Sequence, residues 1–310
     1  MKKIIMFFAA VAMTAGIASA QDINAVIEIC NNAGMELEMG NKEAALGYYQ
    51  SALTEAEALG EAGYEISENC KAMIPALMVS IGKDYTDAKQ YDAATDMFAK
   101  AAEAAALYGN TEKADEANSL ITQVNMQKAN AALKAKDYAT AIAVYEQILA
   151  ADPTNGMAAL NIGQAYSATG DLAKAEEAFV VAAANGKEKT ANKQLSNIYV
   201  KKAAASLKEK KTQEAFDFAV KSNEYLENAT ATKIAGQTAA ALGKTAEALT
   251  YLEKYVELSP NAKDANQMRY NIAAMAQKAG DKEKAKTYYQ QVLTDPKFGP
   301  NAQKQLDALK

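Results

Sequence analysis

The sequence predicts an all-α fold, a solenoid built from about seven antiparallel helix pairs with a short helix capping its end. Three observations carry this. First, a Gly or Ala is followed twelve residues later by an alanine seven times: Ala33/Ala45, Gly82/Ala94, Ala129/Ala141, Gly163/Ala175, Ala203/Ala215, Gly236/Ala248 and Ala273/Ala285. Second, apolar residues recur at helical spacing nearly throughout, as in Tyr138, Ala141, Ile142, Tyr145, Ile148 and Leu149, and no alternating strand pattern interrupts them. Third, turn signals punctuate these runs at Gly40-Asn41, Gly109-Asn110, Gly170-Asp171, Gly243-Lys244 and Gly280-Asp281, where glycine ends one helix and the polar residue caps the next.

Residues 1–20 stand apart from the fold. Lys2 and Lys3 form a basic start, Ile4 to about Ala15 is uncharged and apolar, and Ala18-Ser19-Ala20 precedes Gln21 as a small-residue cleavage motif. Together they describe a secretory signal peptide. The apolar run is short for a bilayer span of roughly 20 residues. No cysteine stands at the cleavage point, the first being Cys30, so a soluble exported protein, periplasmic or secreted, is expected. The expected domains are 1–20, the leader, and 21–310, a single helical array.

Within a unit, the small residue of the first helix admits close approach of the second, and the alanine twelve residues on sits opposite that crossing. Four residues further comes a large ring: Tyr49, Phe98, Tyr145, Phe179 and Tyr289, with Ala219 and Leu252 as departures. The ring is expected to fill the space between one unit and the next. Pro153, Pro260 and Pro296 fall just after second helices, where proline stops a helix without breaking its interior. No unit buries its own apolar face, so each requires the next, which is solenoid logic. Pro300 suits a first helical turn, and Leu306 and Leu309 give the final segment one apolar side, as a capping helix needs.

These residues resemble the tetratricopeptide repeat, whose pattern is a small residue, a tyrosine, a turn glycine, alanine, an aromatic, a small residue and proline. The fourth copy shows it best in Gly163, Tyr166, Gly170, Ala175, Phe179 and Ala182. The third adds Tyr138, Ala141, Tyr145 and Pro153. Laid on the family frame, units begin near residues 26, 75, 122, 156, 196, 229 and 266, with a cap over 300–310. The uneven steps imply longer helices or connections in the first two units. The chain has no tryptophan for the family's early aromatic slot, and the fifth copy carries Ala219 and Ser222 where bulk is expected. The resemblance, to an exported bacterial member of the family, implies a right-handed superhelix whose first helices line a concave groove for peptides or protein segments.

Composition narrows the chemistry. Without the leader there are 31 basic residues against 38 acidic ones, a formal charge of −7, which offers no electrostatic footprint for nucleic acid. Arg269 is the sole arginine, and histidine is absent. That removes imidazole bases, Ser-His-Asp and Cys-His pairs, and His-ligated metals. No phosphate loop, CxxC motif or acidic metal loop occurs, so no catalytic residue, metal or cofactor is expected. Cys30 and Cys70 are the two cysteines, readable either as a disulfide in an oxidising compartment or as two separate buried thiols.

Carried over position by position, the resemblance places Gln127 and Asn130 of the third copy in the groove, with Asn161 and Gln164 of the fourth. Asn197 and Lys201 of the fifth join them, and Lys233, Gln237, Tyr270 and Asn271 of the last two. Side-chain amides at such positions bond an extended backbone whatever its sequence. A family variant that clamps a C-terminal carboxylate shares Asn130, Asn161 and Lys201, but Met126 and Asn197 stand where it carries further cations. The leading expectation is a non-enzymatic protein- or peptide-binding scaffold in the bacterial cell envelope, with no membrane segment after leader removal. The alternatives are a structural or oligomerisation module, and a carboxylate- or lysine-based enzyme on envelope polymers, whose signature would be two acids about 5–9 Å apart across a groove.

Overall fold

The computed structural model describes residues 17–309; the expected leader lies outside them except for the backbone of 17–20, which opens the first helix. Among the described residues, seven helix pairs and a terminal helix follow one another. The pairs are α1 (Ile17–Glu38) with α2 (Lys42–Ala58), α3 (Tyr64–Asp87) with α4 (Tyr91–Leu107), and α5 (Thr111–Lys134) with α6 (Tyr138–Ala151). Next come α7 (Gly156–Thr169) with α8 (Leu172–Ala182), and α9 (Glu188–Lys208) with α10 (Thr212–Tyr225). The last are α11 (Ala229–Ala241) with α12 (Thr245–Leu258), α13 (Ala265–Lys278) with α14 (Lys282–Gln290), and the single α15 (Gly299–Ala308). The chain divides into two compact units after Pro153. In each unit every helix packs chiefly on its neighbours in sequence, the nearest-neighbour arrangement of a repeat array. Among the described residues no helix is long and apolar enough to cross a membrane.

The small-residue pairs mark where helices cross. Ala33, Ala45, Ala94, Ala129, Ala141, Ala175, Ala203, Ala215, Ala248, Ala273 and Ala285 have no exposed surface. A Cβ added to Gly82 would lie 2.6 Å from the Phe98 ring, one on Gly163 2.7 Å from the Phe179 ring, and one on Gly236 2.7 Å from Leu252. Real Cβ contacts do not come that close, so only glycine fits. The large residue therefore seals the crossing inside its own unit, where the sequence pattern had assigned it to the gap between units. Tyr49 and Tyr289 are buried, while the tyrosines just before them, Tyr48 and Tyr288, are exposed and half-buried.

The uneven repeat length has a definite location. Helices α1, α3 and α5 run 22, 24 and 24 residues, and α9 runs 21, against 14 for α7 and 13 for α11. The added turns lie at their N-terminal ends: α3 opens at Tyr64 rather than near 75, α5 at Thr111 rather than near 122, and α9 at Glu188 rather than near 196. Eleven extra residues amount to about three turns, or roughly 16 Å. Pro75, where an ordinary unit would begin, is inside α3, although an interior proline removes one backbone hydrogen bond. The helix persists because its added turns bury Ile66, Cys70 and Ile74 in the core shared by α1 to α5.

The turns inside each pair require one residue in the left-handed region. Gly40, Gly170, Gly243 and Gly280 fill it in four copies, but Lys89, Lys136 and Lys210 do so in the second, third and fifth, with φ of 60°, 62° and 61°. After Lys136, Gly170 and Gly280 comes an aspartate whose carboxylate accepts from a backbone N–H of the new helix: Asp137 from Thr140, Asp171 from Lys174 and Asp281 from Lys284. Between α8 and α9 only a short turn intervenes, broken at Asn185 and at Gly186 (φ 79°).

The fifth pair replaces bulk with a polar weld. Ser196 of α9 and Ser222 of α10 are buried, with hydroxyls 2.9 Å apart, and Ser222 also donates to the Ser196 carbonyl at 3.0 Å. Small Ala203 and Ala219 let the helices close far enough for that contact. The missing ring is supplied nearby by Tyr199, stacked on Tyr225 with centroids 5.7 Å apart and tilted against Phe218 at 6.0 Å.

At the C-terminus Pro300 occupies the first turn of α15. Leu309 and Ala302 are buried with Tyr289 and Val292, and Leu306 packs beside them. Helix α15 thus covers the last pair.

Candidate functional site

The candidate surface is built by register. With the small residue of each first helix as origin, the residue two before it lies about 160° around the helix axis and the residue one after it about 100° around. Both therefore lie off the crossing itself, although in α11 the first place holds Ile234, buried in the core, and in α9 and α13 the second holds Ala204 and Ala274. In the unit ending at Pro153 these places on α5 are Gln127, exposed, and Asn130, half-buried. In the unit beginning at Thr154 they are Asn161 and Gln164 on α7, Lys201 on α9, Gln237 on α11 and Asn271 on α13. Lys201 and Gln237 are exposed; Asn161, Gln164 and Asn271 are half-buried.

These side chains differ in how far the protein itself engages them. Asn130 accepts from the hydroxyl of Tyr145, the ring sealing the third crossing, at 2.6 Å. Asn161 also has a polar partner within the protein. Gln237 makes only a long contact, 3.8 Å, to the Met268 sulfur. Tyr270 is committed to packing: its ring meets Tyr289 edge-on and Phe298 at a tilt, both at 5.5 Å between centroids. Lys233 is paired at 3.0 Å with Asp264 and stands over the Tyr255 ring.

Two charged clusters escaped the sequence pattern because their members come from different helices. Asp264 accepts from Tyr255 at 2.6 Å and from Lys233; the tyrosine hydroxyl first, and the ammonium second, hold its carboxyl below the usual range. Burial, reinforced by that hydrogen bond, pushes the Tyr255 phenol up to about 12. In the other cluster, Glu176 accepts from Tyr199 and Lys202, while Lys202 and Lys221 stand over the Tyr199 ring. Burial would raise the pKa of Glu176, but the bonds from Lys202 and Tyr199 outweigh it, so its carboxyl titrates below its ordinary range. Each cluster ties neighbouring helices together, and each carboxylate already has cationic and hydroxyl partners.

Open clefts also occur away from this row of side chains. One, of about 630 Å³, is lined by Leu53, Glu57, Glu68, Lys71, Leu107 and Tyr108, and Lys71 bridges Glu57 and Glu68 at 3.2 Å each. Another, of about 510 Å³, surrounds Arg269, whose guanidinium donates to Asn266 at 2.7 Å and to the Pro260 carbonyl at 2.9 Å. The sole arginine thus braces the α12–α13 connection. Among the described residues no group of His, Cys, Asp or Glu is placed to hold a metal ion.

Three stretches match family descriptions of the tetratricopeptide repeat: residues 132–192, 213–263 and 267–297. The chain is a tetratricopeptide-repeat protein. The glycine crossings, left-handed turns and sealing rings are the tetratricopeptide pattern in three dimensions. Similar solved structures include MamA (20% identity, TM-score 0.33, covering 53% of this chain and 92% of that one). They also include YrrB, described as a TPR protein with an unusual peptide-binding site (20%, 0.36, 62% and 97%). A third is PilW, a type IV pilus biogenesis factor (19%, 0.28, 61% and 93%). No curated protein sequence matches.

Proposed function

We propose that this chain is a non-enzymatic scaffold of the bacterial cell envelope that binds a protein or peptide segment through the polar faces of its first helices. The observation that carries the reading is the register in the unit beginning at Thr154. An amide or lysine stands at one or both of these two places on each of α7, α9, α11 and α13, with Ala204, Ile234 and Ala274 at the others. Such a row offers donors and acceptors to an extended backbone at successive repeats, with specificity left to the spaces between. The absence of histidine and the single, internally bonded arginine favour recognition over catalysis. Export rests on the leader pattern of residues 1–20, whose removal would start the mature chain at Gln21.

Replacing Asn161 and Lys201 together with alanine tests the binding face. With two hydrogen bonds lost, affinity for a peptide mapped from the crosslinked envelope partner is expected to weaken roughly tenfold or more, with the helical content unchanged. Unchanged affinity would remove these residues from the site. N-terminal sequencing of the protein recovered from the envelope fraction tests export: a start at Gln21 supports it, and an intact Met1 start in the cytoplasmic fraction contradicts it.

A further inference from the structure

Cys30 of α1 and Cys70, on the added turns of α3, are free thiols in the structure and share one buried core, although 40 residues separate them. Both thiols are buried in the same core, Cys70 with no exposed surface and Cys30 with 6%. They lie within hydrogen-bonding reach of one another, and the Tyr49 ring is close to both. They are the only cysteines in the chain, so neither has a competing partner. In a unit of ordinary length α3 would start near Pro75 and hold no residue at this place.

We propose that Cys30 and Cys70 are a disulfide pair that staples the first helix of copy one to the first helix of copy two in an oxidising compartment. Formation proceeds by exchange with a disulfide-bearing oxidant. The Cys30 thiolate attacks one sulfur of the oxidant and releases the other as a thiolate, giving a mixed disulfide. The Cys70 thiolate then attacks the Cys30 sulfur and displaces the oxidant's remaining sulfur. Two protons leave the protein, two electrons reduce the oxidant to its dithiol, and one S–S bond forms in the chain. Cys30 is the entry thiol because it is the one with residual exposure. Once closed, the bond would lie in the buried core that also holds Val26, Tyr49 and Ile74.

The test uses the full chain. Purified reduced protein is incubated with oxidised glutathione, denatured without reductant, alkylated and weighed intact. The expected product takes no alkyl group, is two hydrogens lighter than the reduced chain, and gains two alkyl groups only after reduction. Tryptic digestion should then yield one linked pair, with the peptide ending at Lys42 joined to 43–71. The bridged form should melt about 10 °C higher than its reduced counterpart in the transition of the N-terminal unit. Two alkylated thiols after oxidation, or a stable glutathione adduct on Cys30 without ring closure, would overturn the proposal. A Cys70→Ala variant sharpens the reading: it should halt at the Cys30–glutathione adduct, and failure to form any adduct would contradict Cys30 as the entry thiol.

Discussion

At the residue scale, the shortest side chains do the most to define this fold. Gly82, Gly163 and Gly236 sit where a single methyl would strike Phe98, Phe179 or Leu252. Gly163→Ala would gain about 1 kcal/mol of helix propensity yet force the ring to shift, for a net loss of about 1–2 kcal/mol by denaturant titration. The left-handed lysines point the other way. Lys89, Lys136 and Lys210 hold a backbone conformation costly to any residue with a Cβ, so Lys136→Gly should stabilise by about 0.5–1 kcal/mol. A destabilising result there would mean that the lysine side chain contributes more than its backbone costs. The alanine and glycine positions were fully legible in the sequence, because a fixed twelve-residue interval leaves little room for chance across seven copies. The lysine turns were not, because lysine is an ordinary surface residue and only its φ reveals its task.

At the element scale, the uneven repeat steps implied longer helices or connections in the first two units, but not that the added turns are helical or that α5 and α9 share them. A family pattern registers on the crossing, which is the same in every copy, and has no position for turns added before it. Ser222 was likewise read as missing bulk, although with Ser196 it welds α9 to α10. Ser222→Ala removes the side-chain donor to the Ser196 carbonyl and one of the two partners of the Ser196 hydroxyl, which keeps the Leu226 carbonyl at 3.2 Å; it should cost about 1–2 kcal/mol, and the Ser196→Ala/Ser222→Ala double variant should cost less than the two single variants summed. Strict additivity would mean that the two hydroxyls act independently. Between α11, α12 and the start of α13, the Asp264 carboxyl is held low by Tyr255 and Lys233. Its contribution is complete above its unfolded-state value of about 4 and is lost as pH falls through the lower folded value. Tyr255→Phe should therefore destabilise at neutral pH and flatten the acid limb of the stability profile below about pH 4. An acid limb unchanged from the parent would remove Asp264 from that account.

At the scale of the whole molecule, the chain is two compact units of stacked pairs, each helix leaning mainly on its neighbours in sequence. Stability in such an array is approximately a sum over pairs and interfaces, so a local change acts near its own site. The fold class, the seven pairs and the capping helix could all be read from periodicity, because nearest-neighbour packing is written locally in the chain. The candidate face was legible only as register: residue spacing says which side chains lie off the crossings, but not that Tyr270 is spent on Tyr289 and Phe298 or Asn130 on Tyr145. Those commitments arise from contacts between segments, which no single helix pattern encodes. They direct attention to Lys201 and Gln237, the most exposed members of the row.

The central claim is that partners meet the first helices, and site-specific photo-crosslinking in living cells tests it most directly. A photoreactive residue is placed in turn at Lys201 and Gln237 on first helices, and at the exposed Glu177 and Glu257 on second helices. The account predicts one discrete crosslinked protein, the same for Lys201 and Gln237, and none from Glu177 or Glu257. Crosslinks from the second-helix positions alone would contradict it.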